Sequence, residues 1–430
     1  MKTVNYDKDI KELYVILICL IIGLGYIIFV KFTYNGSSSG EGSSTQNNDV
    51  VSFNENFVKN INVADSNYLV SPYSVEMALR MLANGSSGNT MSEIINAVGD
   101  RTVVNFNVNN RIGVANALFI KDLYKNYIIS SFSDGLKSSY NGDIVYDKFE
   151  NADVINKWCR DKTSNMVDKM FDSLGADFVL GIANAVAIDV EWEKEFDCNS
   201  TSSSEFIRSD NSKINVEMMH NTYSSDVKYF ENDSVTGVVI PYKKYNVNGE
   251  VDDDGSNLEF VGILPSGNIN DFIQSLGDDD LSRIDNNSIT ASADKNVELS
   301  LPRFKYDFKL DSLVNVLQNM GIRDAFDMNN ADFTKIINKD DMLSLGIDNL
   351  YVDTAVHKTY IDLNEKGTKA AAVTGFNLNA GSAATQPEIV KIEFNKPFIY
   401  IIRDSQSKEM LFFGAVYNPS EWKGNTCNNE

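Results

Sequence analysis

An α+β fold is predicted for the bulk of this chain. Helix-period and strand-period segments both occur, the strand-like runs cluster late without strict alternation, and no internal repeat is present. Strict alternation of strand and helix would have indicated a doubly wound parallel sheet instead. With 430 residues, 43% of them hydrophobic, there is material for a sizeable core. The formal net charge is -22, with 60 acidic against 38 basic residues and no compensating basic cluster. That balance excludes nucleic acid and heparin-like polyanions as partners, because both require a basic field.

Taken in order, the first element is Leu13–Val30, LYVILICLIIGLGYIIFV, 18 residues without a charge. As a helix it is about 27 Å long, close to the thickness of a hydrocarbon core. No A-x-A-like cleavage site follows it, so it is read as an uncleaved transmembrane anchor. Lys2, Lys8 and Lys11 precede it, which favours a cytoplasmic tail over residues 1–12. Residues 31–49, including NGSSSGEGSSTQNND, read as a flexible Gly/Ser tether. Residues 50–420 then form one extracytoplasmic domain and 421–430 a C-terminal tail, on a membrane crossed once; a monomer is expected.

Within the domain, Ser71-Pro72 reads as the start of a helix with Val75, Ala78, Leu79 and Leu82 on one face, ending at Asn84-Gly85. Strands are predicted over Ile112–Ile120, Gly181–Val190, Val235–Ile240, Leu258–Leu264, Val297–Leu301, Lys391–Phe394 and Phe398–Ile402, with helices over Asn151–Thr163 and Leu310–Met320. Outside the apolar run the cysteines are Cys159, Cys198 and Cys427, which cannot all pair with one another. With no C-x-x-C and only His220 and His357, no metal and no cofactor is expected. The stretch GEVDDDGSN (249–257) starts like a calcium loop at Glu250, Asp252, Asp254 and Gly255. The closing glutamate position is Val261, however, and an elongated hairpin loop fits better. Neither histidine neighbours a G-x-S-x-G elbow or another nucleophile signature, so no enzyme is expected and no residue is assigned a catalytic role.

The segment NEKGTKAAAVTGFNLNAGSAATQ (364–386) has the most telling pattern. Alternate positions from Thr368 read Thr368, Ala370, Ala372, Thr374, Phe376, Leu378, Ala380, small or apolar throughout, while the other register turns polar. That is the period of a strand with one buried face. Its end, Gly381-Ser382-Ala383-Ala384, has the composition of an exposed loop. The pattern is that of a strand not yet in its sheet.

Seven collinear stretches then carry a resemblance: YLVSPYSVEMALRML (68–82), NAVAIDVEWEKEF (184–196), VVIPYKKY (238–245), FVGILPSG (260–267), LPRFKYDF (301–308), AVHKTYIDLNEKGTKAAAVT (355–374) and FNKPFIYIIRDSQSKEMLFFGAVYNP (394–419). Residues 50–420 resemble the serpin family. The resemblance implies three β-sheets with surrounding helices and an exposed reactive loop offered as bait to a serine protease. A cut near its C-terminal end frees the loop to enter the central sheet and trap the acyl-enzyme. Serpin loop insertion is itself a general example of strand addition and of strain released by proteolysis. By the same resemblance the hinge is Glu365, Gly367, Thr368, Ala370, Ala371, Ala372 and Thr374. Ser71, Ser74, Asn184 and His357 match the polar shutter cluster beneath the main sheet, and Trp192 a buried aromatic where the loop enters.

Counting forward from Glu365 by the family's hinge length places the reactive bond at Gly381-Ser382, with Ala380-Gly381 as the alternative. A backward count from Phe394 lands on Gln386-Pro387, which most serine proteases resist. No Lys or Arg occurs from Ala370 to Glu388, so the expected partner is an elastase-like or subtilisin-like serine protease and not a trypsin-like one. The competing expectation is a non-inhibitory serpin acting as a binding or structural module.

Overall fold

The computed structural model describes residues 52–63, 65–99, 101, 111–163, 165, 167–174, 178, 180–368 and 387–424. The apolar run 13–30 and the tether 31–49 lie outside them. Among the described residues no helix is long and apolar enough to cross a membrane.

Three sheets organise the domain. The central one runs β3 (Asp143–Asp147), β2 (Ile112–Lys121), β4 (Leu180–Ile188) and β14 (Thr354–Asn364), with β13 (Phe304–Leu310) also paired to β14. At one end it continues through β15 (Gly367–Thr368) to β5 (Val190–Glu191). A second sheet runs β1 (Tyr68–Val70), β18 (Met410–Val416), β17 (Phe398–Asp404), β10 (Leu258–Pro265), β9 (Val235–Pro241), β8 (Lys228–Glu231), β11 (Ile289–Thr290). The third runs β16 (Glu388–Glu393), β12 (Lys295–Pro302), β7 (Lys213–Tyr223), β6 (Ser202–Ile207). Strand β18 is buried at every position, which explains its unbroken apolar run, whereas β6 buries only Phe206.

The helix expected after Ser71-Pro72 spans Pro72–Gly85 (α1); the Ser71 hydroxyl caps it by accepting the Ser74 amide at 3.2 Å. Its burial is wider than the predicted stripe. Every residue except Arg80 and Asn84 is buried, as suits a helix passing through the interior. Buried Glu76 is balanced there by Arg80 at 2.7 Å and by Arg101. A second helix, α2 (Asp153–Lys162), packs Ile155, Trp158 and Cys159 with Phe119, Ala183 and Ala185, covering the opposite face of β2 and β4.

Several boundaries differ from the sequence reading by one to three residues, and two of the differences have a structural reason. The Gly181–Val190 run is interrupted at Asp189, giving β4 and β5 separately. The expected helix at Leu310 begins only at Leu313, because Leu310 ends β13 in register with His357. Cys198 is disulfide-bonded, while Cys159 is free and buried, its thiol pushed up to about 12 by burial.

Candidate functional site

The site is the turn that joins β14 to β15. Asn364 shapes it, its side-chain oxygen accepting the Lys366 amide at 3.0 Å. Gly367 has to be glycine here. A Cβ would lie 2.1 Å from the Val190 carbonyl oxygen, so the backbones could not approach closely enough to pair. Thr368 follows fully buried, opposite Leu363 of β14 on one side and Val190 of β5 on the other. Nearer the middle of the sheet no strand intervenes, and β14 pairs directly and in parallel with β4 from Thr354↔Gly181 to Thr359↔Val186. The hinge strand therefore begins as a wedge of two residues at one end of an otherwise closed pair.

Residues 192–201 hold this turn. The Trp192 indole donates to the Asn364 carbonyl at 3.0 Å, the Trp192 amide to the Lys366 carbonyl at 2.8 Å, and the Phe196 amide to the Glu365 carbonyl at 2.8 Å. The Glu365 carboxylate is buried and accepts from Arg303 Nε at 2.7 Å and from the Thr201 hydroxyl. Arg303 also reaches Glu217 at 3.4 Å. Aromatic packing completes the arrangement. Trp192 is fully buried, stacks on Tyr242 at 4.5 Å between centroids and 7° between planes, and meets Phe260 edge-on. The Tyr242 and Thr368 hydroxyls share a hydrogen bond of 2.8 Å, and burial holds the Tyr242 phenol protonated.

Beneath the centre of the same sheet, Ser71, Ser74 and His357 come together, and Asn184 stands in register between His357 of β14 and Asn116 of β2. The Ser71 amide donates to His357 Nε2 at 2.9 Å, which leaves the ring proton on Nδ1. Full burial lowers the His357 pKa to about 4, so the ring is neutral at physiological pH.

Of the residues singled out by sequence, Glu365, Gly367, Thr368, Trp192, Ser71, Ser74, Asn184 and His357 fall in these two places. Ala370, Ala371, Ala372, Thr374, Ala380, Gly381 and Ser382 lie outside the described residues. Described structure resumes at Pro387 and leads into β16 of a different sheet. Arg303, Thr201, Glu217 and Tyr242 went unread. Arg303 and Tyr242 sit inside stretches that carried the resemblance, but no periodicity links them to a hinge 62 and 126 positions away. The 249–257 stretch belongs to an elongated β9–β10 hairpin in which Tyr245 bridges both Val251 and Ser256. Among the described residues no group of His, Cys, Asp or Glu could hold a metal.

Comparison with known proteins agrees with this architecture. The profile of the family Serpin (serine protease inhibitor) matches residues 48–419. A serine protease inhibitor of Cyanea capillata is 28% identical over 384 residues, covering 83% of this chain and 93% of that protein. Human corticosteroid-binding globulin is also 28% identical, covering 82% of this chain and 85% of its own. The crystal structure of the thermophilic serpin Tengpin in its native state superposes with a TM-score of 0.72 at 27% identity, over 89% of this chain and 97% of Tengpin. With a family match across nearly the whole domain and a wedge-shaped hinge at one end of its central sheet, the chain belongs to the serpin family.

Proposed function

We propose that this serpin is a suicide-substrate inhibitor of serine proteases. The observation that carries the reading is the join between sequence and structure at Thr368. The alternating small-or-apolar register starts at a residue already paired between β14 and β5, and it continues through Ala370, Ala372 and Thr374. A strand that is to part β14 from β4 has to present small side chains to the interior, since each bulky or charged one would delay insertion and let the acyl-enzyme hydrolyse. Backbone pairing on both new edges drives the process at about 1 kcal/mol per hydrogen bond. Glu365 and Gly367 serve as the pivot, and the Ser71, Ser74, Asn184 and His357 cluster holds the strands together until cleavage.

Gly381-Ser382 is the reactive bond under this reading, with Ala380-Gly381 one step earlier, and the target has a shallow pocket of elastase-like or subtilisin-like kind. The domain is held outside a cell membrane by residues 13–30, which carbonate extraction of the full chain would test. A non-inhibitory binding role is the second reading, favoured by the similarity to corticosteroid-binding globulin. A panel of serine proteases separates the two. Inhibition gives a complex that survives boiling in detergent, together with a C-terminal fragment beginning at Ser382 or Gly381. Cleavage throughout the panel without any complex supports the binding role.

A further inference from the structure

Tyr242 lies outside the segment that moves, yet it grips that segment before any protease arrives. Thr368 has no exposed surface in the uncleaved chain, and among the described residues its hydroxyl and that of Tyr242 are each other's hydrogen-bond partner, at 2.8 Å. The Tyr242 ring cannot follow if the strand leaves. It stacks on Trp192, and its amide is bonded to the Leu258 carbonyl of β10 at 3.0 Å. Trp192 meanwhile holds the carbonyls of Asn364 and Lys366. The stacked pair therefore grips the turn on both sides, Trp192 at the end of β14 and Tyr242 at the start of β15. A side chain at Gly367 would collide with Val190, so nothing but backbone separates this grip from β5.

Resting on the inhibitory reading, we propose that Tyr242 is a positioning residue for loop insertion: it keeps Thr368 seated in the central sheet, so that insertion after cleavage proceeds from Ala370 onward. The outcome of the reaction is a race between insertion and hydrolysis of the acyl-enzyme. A seated first residue removes the opening step, in which Thr368 must first be taken in between β14 and β5. If the seat is lost, the Thr368 hydroxyl has to be buried without a partner each time insertion begins.

Three variants test this: Tyr242→Phe, Thr368→Val and the two together. Tyr242→Phe keeps the stack and removes one hydroxyl, leaving the other orphaned. The double variant replaces both partners by apolar groups of similar shape, which is nearly neutral for a buried pair. The first readout is amide hydrogen exchange of the peptide covering residues 364–368 in the uncleaved protein. The second is the number of inhibitor molecules consumed per protease trapped. Tyr242→Phe should speed exchange in this peptide and raise consumption about twofold to tenfold, the range set by one hydrogen bond. The double variant should return both towards wild type, a rescue that general destabilisation would not produce. Unchanged exchange in Tyr242→Phe, or a double variant no better than the single one, overturns the proposal. A wild type that traps no protease sinks the inhibitory reading, and exchange in the 364–368 peptide still decides whether Tyr242 seats the hinge.

Discussion

His357 is buried and neutral, accepting from the Ser71 amide, and its folded-state pKa of about 4 lies below the ordinary 6.5. Since the unfolded chain binds the proton more readily, the stability tied to this neutral ring is fully present above pH 6.5. It is lost as the pH falls through about 4, by on the order of 3 kcal/mol. His357→Gln keeps an acceptor near Ser71 but does not titrate. Thermal midpoints measured from pH 7 to 4 should fall less steeply in the variant, and equal slopes would remove His357 from the account. Arg303 is the second residue whose loss is predictable, because it separates the buried carboxylates of Glu365 and Glu217. Arg303→Ala leaves both without their counter-charge, which costs about 3–5 kcal/mol, whereas Arg303→Met combined with Glu365→Gln should cost less. Denaturation midpoints of the two variants check the order.

At the scale of elements, the wedge β15 gives the sharpest test of the hinge. Thr368 is fully buried beside Tyr242 and Val190, so Thr368→Arg would place an unpaired charge where none is tolerated. Cleavage should continue while the detergent-stable complex disappears, turning inhibitor into substrate; a variant that still traps protease as well as wild type does would contradict the inward register. The element now seen to matter was partly legible in advance. Asn84-Gly85 with Ser71-Pro72 marked the ends of α1, whereas of the period-2 alternation only its first residue, Thr368 in β15, is among the described residues. Less local features were hidden. Leu310 looked like the start of a helix because its apolar neighbours suit either period, and only its pairing opposite His357 made it the end of β13. The all-round burial of α1 includes Glu76, whose polarity masked the extent of the buried surface until Arg80 and Arg101 were seen to balance it.

At the scale of the whole molecule, the fold class and the collinear family stretches were readable because they are carried by long apolar strands and by motifs that keep their spacing. The grip on the hinge was not readable. Arg303 and Tyr242 reach Glu365 and Thr368 only after β13 and β14 have been assembled into the central sheet and β10 into another, a tertiary relation with no trace in local pattern. β14 and β4 are paired in the uncleaved chain, and under the inhibitory reading proposed above this closed sheet is a kinetic trap that admits one further strand when the loop is cut. The most direct measurement is the thermal midpoint of the chain before and after limited proteolysis confined to residues 380–386. A substantial rise is expected, because the freed segment would add backbone pairing on both edges and bury its small-or-apolar register; an unchanged or lower midpoint in the cleaved chain would mean that the loop does not enter the sheet.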